Sequence, residues 1–271
     1  MKPFLLATDY SEAARNAGDF AAHLAQSCGS ELIVFHAWTP TLPAPETSPI
    51  VPLDDVRRIQ KEAVEAEAAR LSKAFQVRTR AIEQSGFAGD EIEVVCEEEG
   101  IGLIILATSH HNVVARFFGS VATSMLHKLK FPMLLVPEFV TFKEPQKVLL
   151  ATDLHDSGDW HELDTLKAIA RQLNFSIHII NVVNEKQVAG VEESSAGVRL
   201  ENKLREIEHT WHFPVDEDIP HAVLETAERI GAGWIAMVPH QLPWYKELFH
   251  KSITKQLAFV THRPLLALPN A

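Results

Sequence analysis

The stretch Asp153-Leu154-His155-Asp156-Ser157-Gly158-Asp159-Trp160-His161 gathers carboxylates and imidazoles within nine residues. Asp153, His155, Asp156 and His161, with His240 if the fold brings it near, offer the oxygen and nitrogen donors of a zinc or other divalent site. Spacing alone names no coordination geometry. The preferred reading is therefore a turn in which Asp156 or Asp159 caps a helix that Trp160 enters. Asp153 also closes Leu149-Leu150-Ala151-Thr152-Asp153, which repeats Leu5-Leu6-Ala7-Thr8-Asp9 letter for letter. A short acidic residue at the end of a strand commonly receives the backbone N–H groups of the turn that follows. Thr108-Ser109-His110-His111 is the other concentration of polar chemistry. Adjacent loop residues point to opposite sides, so His110 and His111 need not share a metal; one packs over the sheet edge and one meets solvent. The sequence holds no Walker-type loop, Gly-x-Ser-x-Gly elbow, Cys-x-x-Cys or His-x-x-x-His, and no catalytic residue is assigned.

The elements that must position these residues are written twice. Gly119-Ser120-Val121 through Pro132 aligns without gaps on Lys251-Ser252-Ile253 through Pro264, and each stretch runs into an apolar strand ending in proline, Pro137 or Pro269. In the first half, strands are predicted over residues 2–7, 31–37, 77–83, 103–107 and 133–136. Helices are predicted from a cap at Ser11 to Cys28, over 55–75, 89–99 and 120–129. Five prolines between Thr39 and Asp55 forbid helix there and favour a stiff extended segment. In the second half, strands are expected over 148–152, 176–183, near 213–219, 234–238 and 265–268, with helices over 160–173, 198–209, 221–230 and 252–260. Alternation of this kind implies parallel sheets covered on both faces, with ligands gathering beyond the carboxyl ends of the strands. The fold class is α/β: two tandem doubly wound, flavodoxin-like domains, 1–140 and 146–271, joined through the polar stretch 138–147.

Bulk composition narrows the partners. The 271 residues carry a net charge of −11 with the acidic groups dispersed, so the basic stripe that a nucleic-acid surface requires is missing. No apolar run approaches membrane-spanning length, and the short apolar start is too brief for a signal-peptide core. A cytoplasmic protein is expected, without nucleic acid or membrane as partner. Cys28 and Cys96, the only cysteines, are read as buried thiols of a reduced compartment. Glu97-Glu98-Glu99 is read as a solvated helix end.

Taken in order, several of these residues resemble the universal stress protein family in its tandem form. They are Leu5-Leu6-Ala7-Thr8-Asp9-Tyr10-Ser11-Glu12, Val34-Phe35-His36-Ala37, Ser109-His110, Gly119-Ser120-Val121-Ala122 and the strand from Pro132 to Pro137. Ala151-Thr152-Asp153, Ser252-Ile253-Thr254 and Pro264 to Pro269 repeat the pattern. The resemblance implies an adenine nucleotide alpha hydrolase-like fold in each half and an intramolecular pseudo-dimer paired through residues 133–136 and 265–268, with a further homodimer left open. It implies a role in stress adaptation through binding and an unidentified protein partner rather than turnover. It also implies ATP or AMP as ligand, contacted in the first half by Thr8, Asp9, Ala37, Thr108, Ser109, Gly119, Ser120 and Val121. Asp153 and Ser252 are the second-half equivalents. The family's phosphate loop relies on glycines that let backbone N–H groups approach an anion. In this chain Thr108-Ser109-His110-His111 stands in place of the paired glycines, and Lys251-Ser252 in place of the last pair. The expectation is a regulator with degenerate nucleotide sites. Its alternatives are a sensor using the first-half site, with Arg116 supplying charge, and a metal or small-ligand binder at the 153–161 turn. Asp9 and Asp153 serve as ribose contacts or as turn acceptors, and Ser120 and Ser252 as phosphate ligands or as N-caps.

Overall fold

The computed structural model describes residues 1–40, 52–108, 121–122, 125–126, 130–152, 154, 160–183, 194–238 and 263–269. The first half runs β1 (Phe4–Ala7), α1 (Glu12–Ser27), β2 (Leu32–Trp38), α2 (Leu53–Phe75), β3 (Thr79–Ser85), α3 (Ala88–Glu99), β4 (Leu103–Thr108) and β5 (Met133–Pro137). Next come β6 (Lys147–Ala151), a 3₁₀ turn (His161–Leu163) leading into α4 (Asp164–Leu173), β7 (Ser176–Ile180) and α5 (Ser195–Leu204). The chain then forms β8 (His209–His212), α6 (Ile219–Ile230), β9 (Trp234–Met237) and β10 (Leu265–Ala267).

All ten of these strands form one sheet in the order β3-β2-β1-β4-β5-β10-β9-β6-β7-β8. Read outward from the middle, both sides follow the same sequence of strands. Pairing is parallel throughout, except that β5 meets β10 antiparallel, Leu134 opposite Leu266. The expected pairing of the two last strands is therefore present, and it fuses two half-sheets into one.

Why these strands sit in the interior is visible in their composition. Leu5, Ile33, Ile104 and Leu135 point to one face, and their neighbours Leu6, Val34, Ile105 and Leu134 to the other; all eight are buried. A strand covered on both faces reads as an unbroken apolar run, and each such side chain contributes roughly 1.5–3 kcal/mol of burial. Helices α1, α2, α4 and α5 cover the face of Leu6 and Val34, and α3 and α6 the face of Leu5 and Ile33. Edge strand β3 instead carries Arg80 and Glu83, charges that discourage further pairing.

Several boundaries differ from the sequence expectation. The strand placed near 213–219 lies at His209–His212, and the helix expected to reach His209 ends at Leu204. There the Ile207 N–H bonds the Leu204 carbonyl at 2.7 Å and turns the chain toward the sheet. His209 Nε2 and Trp211 Nε1 then both bond the Glu201 carboxylate, which pins this polar strand against α5. Strand β3 begins two residues later than expected, and β7 ends at Ile180, with Val183 bridging Val215 beyond it. Trp160 does not enter a helix: it is buried with φ of 52°, and helical geometry starts at His161. Helix α2 starts inside the proline-rich segment, at Leu53 directly after Pro52. Residues 41–51 of that segment, the capping roles of Asp156 and Asp159 and the helix over 252–260 lie outside the described residues, as does most of the helix over 120–129. Among the described residues, no helix is long and apolar enough to cross a membrane.

Candidate functional site

The turn after β1 is built by its own side chains. Thr8 Oγ1 accepts the Tyr10 N–H at 3.0 Å, Asp9 Oδ1 accepts the Ser11 N–H at 3.0 Å, and Ser11 Oγ accepts the Ala14 N–H at 3.2 Å as the α1 N-cap. These bonds hold Tyr10 at φ of 62°, a region that residues with a Cβ seldom adopt. The second half repeats the device: Thr152 Oγ1 accepts the Leu154 N–H at 3.2 Å, and Leu154 has φ of 56°. The turn-acceptor role read for Asp9 is thus realised. It occupies one acceptor position of an exposed carboxylate that has about four lone-pair sites.

Beyond the carboxyl ends of β1, β2 and β4 lies a cavity of about 210 Å³. Thr8, Asp9, Ala37 and Val121, four of the residues named from the sequence, line it together with His36 and Ile92. Thr108 is buried nearby with Oγ1 directed to the Val136 carbonyl at 3.5 Å, while Leu106 and Ala107 form the β4 wall. Ser109, Gly119 and Ser120 lie outside the described residues, as do His110, His111, Arg116, Asp153, Ser252 and His240.

His36 is the site residue to which sequence reasoning gives no role. Its Nδ1 lies 2.7 Å from the Thr8 carbonyl. A carbonyl can only accept, so Nδ1 donates, and in the neutral ring Nε2 is left as an acceptor. The ring also packs against Tyr10, centroids 4.6 Å apart. Burial, then the Glu67 carboxylate, push the Tyr10 phenol up to about 12, so it stays neutral. Asn181 does the equivalent work in the second half, donating from Nδ2 to the Thr152 carbonyl at 3.0 Å. His36 therefore has a structural task, tying β2 to β1, in addition to facing the cavity. The signal was legible: a polar residue stands at the matching position in each half, His36 on β2 and Asn181 directly after β7.

Of the metal candidates, His161 is described, and its Nδ1 lies 3.6 Å from Asp164 Oδ2. Asp153, His155 and Asp156 lie outside the described residues. Among the described residues no group of three or more His, Cys, Asp or Glu is placed to hold a metal ion. Cys28 and Cys96 are buried in the clusters on opposite faces of the sheet, so they form no redox pair, and burial pushes each thiol up to about 12. Glu97 and Glu98 are exposed, as expected, and Glu99 pairs with Arg80 at 2.6 Å.

A mainly parallel sheet between two helical layers, with a cavity beyond its strands' carboxyl ends, defines an α/β protein of the doubly wound class. The model of the universal stress protein family matches residues 1–137, half of the sequence, and the chain belongs to that family. Among solved structures it is similar to a universal stress protein from Archaeoglobus fulgidus DSM 4304, with TM-score 0.75 and 20% identity over 100% of this chain and 99% of that one. A putative universal stress protein from Pseudomonas aeruginosa UCBPP-PA14 is similar at TM-score 0.54 and 13% identity, over 99% of this chain and 93% of that one. No curated protein matches the chain.

Proposed function

We propose that this universal stress protein is a cytoplasmic binding and regulatory component of a stress response, and that its first-half cavity is its ligand site. The carrying observation is the set of Thr8, Asp9, His36 and Ala37 around one cavity beyond β1, β2 and β4. At about 210 Å³ it lies below the range of sites for drug-sized ligands, roughly 300–1,000 Å³. That volume suits the nucleoside part of AMP or ATP better than a whole triphosphate. His36 Nε2 and Asp9 supply acceptors for amine and hydroxyl donors, while Ala37, Ile92 and Val121 supply apolar walls. The two halves are proposed as units over residues 1–140 and 146–271. The glycine-poor stretches 108–111 and 251–252 support weak phosphate binding, so the role is sensing or scaffolding and not hydrolysis.

Titration of the full chain with labelled AMP and ATP tests this. Saturable binding is expected, weakened about tenfold or more by Asp9→Ala, because hydrogen bonds to a charged group contribute roughly 1.5–3 kcal/mol. Ala37→Trp, which fills the cavity, should abolish it. If neither nucleotide binds at millimolar concentration, the site is degenerate and the protein acts through protein contacts alone.

A further inference from the structure

The two halves relate to each other almost position for position, and one groove at their junction is filled while its counterpart is open. Leu149 follows Leu5 by 144 positions, and Ile177, opposite Val148, follows Leu32, opposite Phe4, by 145. The longer offset places the buried α1 residues Ala21, Leu24, Ala25 and Cys28 on the buried α4 residues Leu166, Ile169, Ala170 and Leu173. It also places Asn16, Phe20 and His23 on His161, Thr165 and Ala168.

On the α1 side, residues 138–146 lie in the groove between that helix and the amino end of the second half-sheet. Asn16 Nδ2 donates to the Pro137 and Val140 carbonyls at 3.3 and 3.0 Å. Phe142 meets Phe20 edge-on, centroids 5.1 Å apart, and stacks on His23 at 5.6 Å with 10° between the planes. Pro145 is buried so close to Gly233 that a Cβ there would sit 3.0 Å from the proline Cβ. Val140 and Phe142 turn inward while Thr141 and Lys143 face solvent, the alternation of an extended chain. On the α4 side the matching groove is a cavity of about 770 Å³. His161, Thr165 and Ala168 line it, with Gly102, Pro132 and Pro269 at the positions matching Gly233, Pro264 and Pro137. Thr165 Oγ1 donates to the Gly102 carbonyl at 3.2 Å, so its floor is closed.

We propose that this open groove docks an extended peptide of a partner protein, anchored by one aromatic side chain, as residues 138–146 dock within the chain. Thr165 and Ala168 are smaller than Phe20 and His23, which leaves space over α4 for the ring that Phe142 places over α1. The volume falls within the range of built ligand sites. Two of the charges that line it are paired, Lys130 with Glu93 at 2.7 Å and Asp164 with Lys203 at 2.7 Å, while Lys2 and Glu97 also border the groove. The main selection is by shape and an aromatic anchor.

The test uses the full-length protein and a fluorescein-labelled synthetic peptide with the sequence of residues 138–146, followed by fluorescence anisotropy. Saturable one-to-one binding is expected, weakened at least about tenfold by Ala168→Trp and by replacing the peptide's second phenylalanine with alanine, as truncation of an anchor residue does. Hydrogen exchange gives a second measurement should the tryptophan variant fold poorly: bound peptide should protect amides of α4 and residues 100–102. Absence of saturable binding overturns the proposal, as does binding indifferent to both substitutions or protection confined to the β1–β2 cavity. Concentration-dependent self-association that Ala168→Trp abolishes, without peptide binding, would assign the groove to a second copy and overturn it too.

Discussion

His178 Nδ1 and His212 Nε2 stand 2.9 Å apart on neighbouring strands β7 and β8, with ring centroids 5.2 Å apart and planes 19° from parallel. The centroid spacing leaves only the two ring radii beyond the nitrogen contact, so the nitrogens face each other along the line of centres. One must donate and the other accept, which keeps one proton between two neutral rings. Both titrate below the ordinary histidine value of about 6.5: burial, then Lys147, holds His178 down, and burial, then His178 and Arg229, holds His212 down. The folded state thus binds fewer protons at this pair than the unfolded chain does. The pair's contribution is present above about pH 6.5 and is lost as pH falls through the depressed folded values. His209 and His221 are raised and act with the opposite sign, but they are unchanged in a variant of the pair. The melting temperature of His212→Gln should fall less between pH 7.5 and 5.5 than that of the wild type. An equal or steeper fall in the variant would reject the shared-proton account.

Elements announced by unbroken apolar runs were legible in the sequence, because a strand buried on both faces has no other composition open to it. Strands β1, β2, β4, β5, β6, β9 and β10 all fall within two residues of their expected limits. Strand β8 was missed because His209-Thr-Trp-His is polar: Glu201 and its neighbour strand place it, not its own hydrophobicity. The 3₁₀ start of α4 was hidden for a similar reason, since the left-handed Trp160 owes its conformation to burial rather than to propensity. At the site, the polar end of β1 was readable from the repeat, but the part played by His36 and the enclosure of Ala37, Ile92 and Val121 around one space needed the third dimension. Capping was readable in part. Ser11, expected to cap α1, accepts the N–H three residues on at 3.2 Å; Ser194 caps α5 likewise at 3.0 Å, a cap hidden by the expected helix start at residue 198. Ser11→Ala should cost about 1 kcal/mol, within the roughly 0.5–2 kcal/mol range for lost caps, read as a lower urea midpoint with unchanged slope. A larger loss would mean that the Ser11 hydroxyl supports more than the helix start.

At the scale of the molecule, the junction of β5 and β10 decides whether two half-sheets behave as one body. Met133, Leu134, Leu135 and Val136 are no more than 1% exposed, and β10 covers their backbone edge through antiparallel pairing. Phe20 of α1 reaches Trp234 of β9 at 5.9 Å, and Phe142 closes over Phe20 from the connecting segment. A half separated from its partner keeps its own helices but loses the cover on β5, leaving unpaired N–H and C=O groups beside an apolar strip, an edge that invites another strand. A second copy of the same half supplies that strand, because β5 and β10 align residue for residue in the two sequence copies. Residues 1–145 expressed alone should therefore sediment as a dimer at micromolar concentration, and Leu134→Lys should drive it to monomer or unfold it. A folded, monomeric 1–145 with wild-type sequence would show that β5 needs no partner, and edge protection would then no longer explain why two halves share one chain.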